Sequence, residues 1–185
     1  TWIYRKSICI DHTQVLSDLI DFPLLVDIID ADLSNHARID GYDIVFTSSN
    51  GSKLAHDIEA YNYTSGHLIS WINLPKISSS EDTIIYMYYG NQGALNQENS
   101  EAVWTNNYYG VWHLHEDYLD STSYNNDGTN FGSTKTDGMI GNGRLFGGDD
   151  YITASDHCLG SNHSWTASCW FHSDTTSTND FHYLF

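Results

Sequence analysis

His113 and His115 are the residues of this sequence that first suggest chemistry, because acidic side chains follow them at once. Alternation along a β-strand would place both imidazoles on one face, which is the geometry that a zinc site needs. A zinc site also needs further ligands, and the ten histidines of the chain form no second spaced pair. The sequence therefore favours a strand at VWHLHED, residues 111–117, with a hydrogen-bonded His113 and a partly exposed His115, over a transition-metal site.

The carboxylates that follow the two histidines do not have the spacing of a glycosidase. Glycoside hydrolases use two carboxylates about 5 to 9.5 Å apart, and on a jelly-roll scaffold these typically come from an E-x-D-x-E stretch of one strand. Glu116 and Asp117 are adjacent, so a strand would point them to opposite faces. The sequence also has no G-x-S-x-G elbow, no phosphate-binding glycine loop and no plausible Cys–His arrangement. We therefore expect that the chain is not an enzyme.

Calcium suits the acidic loop segments better than zinc does. It takes about six to eight oxygen ligands from carboxylates and backbone carbonyls, and it tolerates irregular geometry. The turn-like segments offer five candidate ligands: Asp120, Asn126, Asp127, Asp149 and Asp150. None of them fits an EF-hand loop, and the same residue types commonly cap backbone groups in turns. Both interpretations stay open, and calcium is the one cofactor that the sequence suggests.

Aromatic side chains in polar, loop-like contexts are candidate sugar platforms. A pyranose ring packs its C–H groups on a π-face while its hydroxyls reach polar side chains. The candidates for ligand binding are Tyr108, Tyr109, Tyr124 and Trp104, with Tyr61 and Tyr63 in similar contexts. Trp2, Trp71, Trp112 and Trp170 lie in strand-like patterns and are expected in the core.

The charge balance excludes some partners. Seven Lys and Arg side chains against 24 Asp and Glu give the 185-residue chain a formal net charge of -17. This field repels nucleic acid and anionic membrane and attracts cations or basic partners. No apolar run approaches the roughly 20 residues that cross a bilayer. We therefore expect no nucleic-acid binding and no membrane insertion by this segment.

Cysteines and glycosylation motifs give weak information about the compartment. Cys9, Cys158 and Cys169 are an odd number without CxxC spacing, so their disulfide state stays open, and a Cys158–Cys169 bridge is one alternative. The sequons begin at Asn50, Asn62 and Asn162. They would suit a secreted glycoprotein, although a chain rich in Asn, Ser and Thr also produces them by chance.

Short strand patterns recur along the whole chain and predict an all-β, antiparallel architecture. The strand-like stretches are RKSICIDH, FPLLVDII, YDIVFTS, HLISWINL, DTIIYMYYG, YGVWHLH, GRLFGG, DDYITAS and SWTASCWFHS. Asn50-Gly51 between two such flanks predicts a hairpin. IIYMYYG is apolar on both faces, which predicts a central strand buried on each side. Helical tendency is confined to short segments near residues 31–39 and 97–104.

Four stretches occur in a specific order over residues 2–93: WIYRKSICID, DFPLLVDI, GYDIVFTSSNGSKLAHDIEAYN and LISWINLPKISSSEDTIIYMYYGN. This order closely resembles the bacterial and archaeal surface-protein domain of domain-of-unknown-function family 2341. The most distinctive parts are W-x-Y-R-K and I-Y-M-Y-Y-G-N. We expect this part of the chain, residues 1–96, to form a β-sandwich domain.

The second half, residues 97–185, resembles the opening of a laminin-G-like, concanavalin A-like sandwich, which commonly follows that family. The stretches that carry the likeness are VWTNNYYGVWHLHE, DSTSYNNDGT, GMIGNGRLFGGDDYITAS and SWTASCWFHS. The resemblance implies a jelly roll of on the order of a dozen strands, and the chain holds about five of them. The sequence is therefore expected to be a fragment of a longer protein; the alternative is that another chain completes the sandwich.

These observations predict a non-catalytic extracellular or cell-surface module for adhesion or glycan binding in a prokaryotic surface protein. This expectation rests mainly on family resemblance, since a fold alone does not give function. Its expected partners are a glycan or a surface-protein ligand. The alternative is a structural subunit of an extracellular filament or surface layer, which would self-assemble.

Overall fold

The computed structural model describes residues 1–154 and 164–173, and β-strands dominate these ranges. In chain order the elements are β1 Tyr4–Ile10, β2 Leu19–Ile29, α1 Ala31–His36, β3 Val45–Ser48, β4 Lys53–Leu54, β5 His56–Asn62, β6 His67–Ile77, β7 Thr83–Tyr89, β8 Thr129–Phe131, β9 Thr134–Asp137, β10 Asn142–Leu145 and β11 Tyr151–Thr153. Short 3-10 turns follow β1 at His12–Gln14 and β7 at Ser100–Ala102. The prediction of an all-β, antiparallel fold is confirmed.

Two antiparallel sheets form a sandwich from the first seven strands. One sheet has the order β1-β7-β3-β4 and the other has the order β2-β6-β5. Alternating side chains of both sheets point inward, as expected when one face of each sheet is buried. The core that they share comprises Val26, Leu33, Ala37, Ile44, Phe46, Leu54, Leu68, Ile72, Leu74, Ile77, Ile85, Met87 and Tyr89. The predicted sandwich in this half of the chain is confirmed.

The hairpin and the short helix form where the sequence predicts them. Strands β3 and β4 pair with Phe46 opposite Leu54, and Gly51 in the turn has a φ of 88°, which glycine adopts without steric cost. Helix α1 begins after Asp30, whose side chain accepts a hydrogen bond from the amide of Asp32. No helix within the described ranges is long and apolar enough to cross a membrane.

Strand β7 is central but not buried on both faces, so that part of the prediction is wrong. It lies between β1 and β3, and Ile85 and Met87 point into the core. On the other face Ile84 is 41% exposed. The guanidinium of Arg5, from β1, lies 4.4 Å from the ring centre of Tyr86. The Arg5 side chain, with its cationic head and long aliphatic stem, therefore covers the ring of Tyr86, which the sequence pattern alone predicts to be buried in a core.

The two distinctive stretches near the ends of the sandwich meet at the buried residue Asp43. Its carboxylate accepts hydrogen bonds from the backbone amides of Gly90 and Asn91, both at 2.8 Å. Its carbonyl oxygen accepts a hydrogen bond from the indole N–H of Trp2 at 2.7 Å. Gly90 has a φ of 85°, and a Cβ there would lie 2.5 Å from the ring of Tyr4. Trp2 and Tyr4 of the first stretch and Gly90 of the second therefore pack together around Asp43.

In the described residues after 103, two small two-stranded sheets form, β9 with β10 and β8 with β11. The predicted strand over residues 111–117 is wrong: this segment has no strand, and Leu114 has a φ of 57°, which breaks the alternation. The strand predicted at SWTASCWFHS is also wrong, because residues 164–173 pair with no strand of the described chain. The domain boundary between residues 96 and 97 stays a prediction.

Candidate functional site

A histidine lies between two buried carboxylates of the sandwich. Asp57 and Glu59 both come from β5, where a β-bulge between Ile58 and Ala60 shifts the register. The Nε2 atom of His113 lies 2.9 Å from Oδ2 of Asp57, and its Nδ1 atom lies 3.2 Å from Oε2 of Glu59. One imidazole therefore bridges two acidic side chains of a single strand.

Two tryptophans complete this carboxylate–histidine cluster. The indole N–H of Trp104 donates to Oδ2 of Asp57 at 2.9 Å, and that of Trp71 donates to Oε2 of Glu59 at 2.7 Å. The two indole rings lie 5.2 Å apart, and His113 packs beside both of them. Each carboxylate is thus satisfied by an indole and an imidazole, as buried charges require.

The protonation states of the cluster follow from this geometry. Burial disfavours a charged imidazole, but hydrogen bonds from His113 to the carboxylates of Asp57 and Glu59 outweigh it and raise the pKa of His113 to about 9. Burial opposes ionisation of Asp57 as well, yet its contacts with His113 and Trp104 lower the pKa of its carboxyl below the ordinary value. At neutral pH the cluster therefore holds an imidazolium beside ionised Asp57.

The cluster holds the chain after residue 97 against β5. The Glu98 carboxylate accepts the amide of Ile58 at 3.0 Å, and Asn99 donates its amide to the carbonyl oxygen of His56 at 2.9 Å. With both carboxylates and the imidazole engaged by protein groups, His113 serves as an ionic anchor. The prediction that His113 is hydrogen-bonded is confirmed, and its partners Asp57 and Glu59 were missed. Two acids at alternate positions of a strand were the available signal.

Asp120 organises a tight turn through both of its carboxylate oxygens. Oδ1 accepts the amides of Val111 and Thr122 at 2.9 and 3.0 Å. Oδ2 accepts the hydroxyl of Thr122 at 2.9 Å and the amide of Asn126 at 3.0 Å, while the amide of Asp120 donates to Asp127 at 3.0 Å. This is the turn-forming role that the sequence allows for these residues. Calcium at Asp120 would have to compete with four hydrogen bonds.

The other acidic residues proposed for calcium lie apart from that turn. Asp150 accepts the amide of Gly147 at 2.9 Å and packs against Gly132, where a Cβ would come 1.8 Å from its Oδ1. Asp149 precedes it in the same turn. Within residues 1–154 and 164–173, the one group of three or more His, Cys, Asp or Glu side chains with converging ligand atoms lies elsewhere. Calcium ligation by Asp120, Asn126, Asp127, Asp149 and Asp150 stays a prediction.

Two of the predicted aromatic residues form an exposed pair beside the Asp120 turn. The rings of Tyr109 and Tyr124 stack with centroids 5.1 Å apart, and the two residues are 54% and 55% exposed. The carbonyl oxygen of Tyr109 accepts a hydrogen bond from the Asn126 side chain at 2.9 Å, which ties the pair to the turn. Trp104, in contrast, is buried in the cluster and offers no open face to a ligand. Tyr108 packs edge-on against Trp104.

The remaining predicted tryptophans differ in burial. Trp2, Trp71 and Trp112 are half-buried, and each donates its indole N–H to an oxygen of the protein. Trp170 is 72% exposed, as part of a segment, residues 164–173, that is exposed throughout, so its predicted placement in the core is wrong.

A separate groove of about 530 Å³ opens between the β5–β6 turn and the region after residue 115. Its lining comprises Ile39, Ala60, Tyr61, Asn62, Tyr63, His67, Ile69, His115, Glu116, Lys135, Gly141 and Asn142. His115 accepts the amide of Asn142 at 3.0 Å, and burial lowers the pKa of its imidazole. Lys135 pairs with Glu116 at the rim. The groove is polar and has one exposed aromatic ring, that of Tyr63.

The predicted glycosylation sites and the cysteines lie only partly within the described residues. Asn50, in a turn, and Asn62, at the end of β5, are exposed, and their side-chain oxygens accept backbone amides of Ser52 and Thr64. Asn162 and Cys158 lie outside the described residues. Cys9 and Cys169 are free and exposed thiols. Glycosylation and the pairing of Cys158 stay predictions.

No curated protein and no solved structure matches the chain. A family model does match, and it confirms the predicted relationship within residues 1–96, in the part that holds β3 to β7. The match continues past the predicted boundary at residue 96 and also includes His113 of the carboxylate–histidine cluster and the Asp120 turn. The second expected relationship, to laminin-G-like sandwiches, stays a prediction. Residues 40–129 match the family described as Domain of unknown function (DUF2341).

Proposed function

We propose that the chain is a non-catalytic, glycan-binding module of an extracellular or cell-surface protein, and that the Tyr109–Tyr124 pair is its sugar platform. The single observation that carries this is an exposed, stacked aromatic pair held in place by a fixed turn. A sugar ring packs its C–H face on such a surface, and rigid aromatic anchors lose little conformational entropy on binding.

Polar groups around the pair supply the hydrogen bonds that a sugar needs. Asn125, next to Tyr124, is exposed and has a φ of 53°, and Ser123 is also exposed. The Asp120 turn below them is rigid because each oxygen of its carboxylate accepts two hydrogen bonds. A platform that is already ordered loses little conformational freedom on binding, which favours affinity for a sugar.

The proposal extends to the expected second domain and to the expected cofactor. The region after residue 97 would be the first part of a laminin-G-like, concanavalin A-like sandwich, and calcium would be its cofactor. Support for the former is limited to its all-β character, with β8 to β11 paired antiparallel. Localisation outside the cell follows from the glycan ligand and from the resemblance to surface proteins.

The second candidate function is a structural subunit of an extracellular filament or surface layer. Its support is a set of large apolar side chains on the small sheets, where Phe131 and Tyr151 stack and are 45% and 50% exposed. Leu145, the last residue of β10, and Phe146 after it are 54% and 49% exposed. Such a surface suits a neighbouring copy that adds strands to the open sheets.

A glycan array with the 185-residue chain tests the first function. We expect binding in calcium-containing buffer, and we expect Tyr109→Ala or Tyr124→Ala to weaken it by about tenfold, which corresponds to about 1.4 kcal/mol. Tyr42→Ala is the matched control, because Tyr42 is 39% exposed and lies on the first sandwich. Loss of binding on chelation would support the calcium part separately.

Two results would contradict the assignment. An array without binding, on which known lectins bind normally, would remove the glycan function. Binding that survives both platform substitutions but is lost in Tyr63→Ala would move the site to the groove. Light scattering over a concentration series tests the structural function, since assembly that Phe131→Ser abolishes would favour it.

A further inference from the structure

A compact group of metal-ligating side chains lies at one end of the first sandwich, away from the cluster and the turn described above. Strand β1 ends at Ile10, opposite Thr83 at the start of β7. The residues just outside that pair, Asp11 and His12 on one side and Asp82 on the other, therefore meet. Their ligand atoms all lie within 4.8 Å of one another. The pairing of β1 with β7 brings them together although they are 70 positions apart.

Backbone contacts hold each of these side chains in place. Oδ1 of Asp82 lies 2.7 Å from Nδ1 of His12 and accepts the backbone amide of the same residue at 3.1 Å. Oδ1 of Asp11 accepts the amide and the hydroxyl of Thr13 at 2.8 and 2.7 Å. These bonds use one oxygen of each carboxylate. The imidazole and both carboxylates are thus oriented toward a common point before any ligand binds.

A thiol lies next to this group. Cys9 lies on β1 opposite Ile84, two positions after Asp82, so the register of β1 and β7 places its thiol at the same end of the sheet as the Asp82 carboxylate. The thiol is free and exposed. It lies outside the group whose ligand atoms are within 4.8 Å of one another, so it completes a set of nitrogen, oxygen and sulfur donors by turning toward the bound ion.

We propose that Cys9, Asp11, His12 and Asp82 form a binding site for a zinc-class divalent cation. One nitrogen, two oxygen donors and one thiolate match the ligands of four-coordinate Zn²⁺, at bond lengths of about 2.0–2.3 Å. Binding replaces the proton shared by His12 and Asp82 and releases the thiol proton of Cys9, as metal binding requires. The side chains are at the surface, so they can close on the ion without moving the sheet.

The chain contains a natural control for this site. Nε2 of His67 lies 2.7 Å from Oδ1 of Asp27, which is the same separation as in the His12–Asp82 pair. Within the part of the chain that the structure describes, that second pair has no third His, Cys, Asp or Glu donor at the same point. Both pairs belong to the same chain, whose formal net charge is -17. General attraction of cations would affect both pairs alike, whereas coordination would select one.

Titration with Co²⁺ and Zn²⁺ tests the proposal on the 185-residue chain. We expect one Co²⁺ per chain with a thiolate-to-metal charge-transfer band, displaced by Zn²⁺. Asp82→Asn and His12→Ala should each weaken Zn²⁺ binding at least about tenfold, and Asp27→Asn should leave it unchanged. Cys9→Ser should remove the charge-transfer band. Far-ultraviolet circular dichroism of each variant verifies that the sandwich is folded.

Four outcomes would overturn the site. They are no binding of either ion, equal weakening by Asp82→Asn and Asp27→Asn, a Co²⁺ complex without the thiolate band, and a preference for Ca²⁺ over Zn²⁺. If Asp82→Asn proves to be unfolded, the spectrum of Cys9→Ser still tests the site independently. The glycan platform contains none of these residues, so failure here leaves the proposed function unaffected.

Discussion

The Nε2 atom of His113 lies 2.9 Å from Oδ2 of Asp57, and this contact joins the chain after residue 97 to strand β5. Both side chains are largely buried, and Glu59 contacts the other imidazole nitrogen. Removing one member of a buried ionic group leaves the others without compensation. The stability of the fold therefore depends on this contact much more than on surface ion pairs.

We expect His113→Ala to lower the free energy of unfolding by about 3–5 kcal/mol, because it leaves two buried carboxylates without a cation. His67→Ala, which removes an exposed partner of Asp27, should cost at most about 1 kcal/mol. Urea unfolding followed by tryptophan fluorescence measures both. Equal effects of the two substitutions would show that the cluster is not an anchor.

The same contact makes stability depend on alkaline pH. The pKa of His113 is about 9 in the folded chain against an ordinary value of 6.5, so the folded state binds the proton more tightly. The stabilisation is complete below pH 6.5 and is lost as the pH rises from there to about 9. The free energy of unfolding, measured from pH 6 to 10, should fall in wild type but stay flatter in His113→Phe. Parallel curves would contradict the anchor.

His56 should produce the opposite dependence, at acid pH. Its ring is buried beside Phe46, and neither ring nitrogen has a hydrogen-bond partner of normal geometry. Burial lowers the pKa of the imidazole from 6.5 to about 4, so stability is present above pH 6.5 and is lost as the pH falls toward 4. We expect His56→Leu to reduce this fall in the free energy of unfolding at acid pH, which is called the acid limb. His36→Leu, at the end of helix α1, is the control; a limb that persists unchanged in His56→Leu would refute the assignment.

The parts of the fold that the sequence predicts are those where local chemistry determines the backbone. Asn50-Gly51 requires a left-handed turn, and alternation places Ile85 and Met87 in the core. Alternation fails at residues 111–117, because the contacts of His113 with distant carboxylates and the positive φ of Leu114 prevail over the local pattern. Such tertiary override is invisible in a pattern with a period of two.

The candidate sites also differ in how far the sequence alone could predict them. Tyr109 and Tyr124 could be selected from their polar surroundings, although their stacking depends on how the Asp120 turn folds the chain back. The group around His12 could not be predicted, since Asp82 reaches it only through the pairing of β1 with β7. Sequence spacing finds ligands on one element, but it does not find ligands that sheet register brings together.

Gly66, in the turn between β5 and β6, should not tolerate a side chain. It has a φ of 69°, and a Cβ there would lie 2.0 Å from the carbonyl oxygen of Asp30. Gly51→Ala is the matched control, because Gly51 has a φ of 88° and nothing within 4 Å of the added carbon. We expect Gly51→Ala to cost about 1–2 kcal/mol from backbone strain alone. Gly66→Ala should cost clearly more, and equal melting temperatures would contradict the close approach.

Asp120 distinguishes a structural turn from a calcium site. Asp120→Ala leaves four donors without their acceptor, and three of them are backbone amides, so we expect a loss of about 2–4 kcal/mol. Asp149→Asn, an exposed change in the other proposed calcium turn, is the control.

If the four hydrogen bonds are the whole role of Asp120, the loss of stability should be the same in calcium and in chelator, and thermal unfolding measures it. A wild-type melting temperature that falls on chelation, in a manner that Asp120→Ala abolishes, would instead identify Asp120 as a calcium ligand. Hydrogen exchange at Val111 and Asn126 provides the local readout, because their amides donate directly to this carboxylate and should lose protection first.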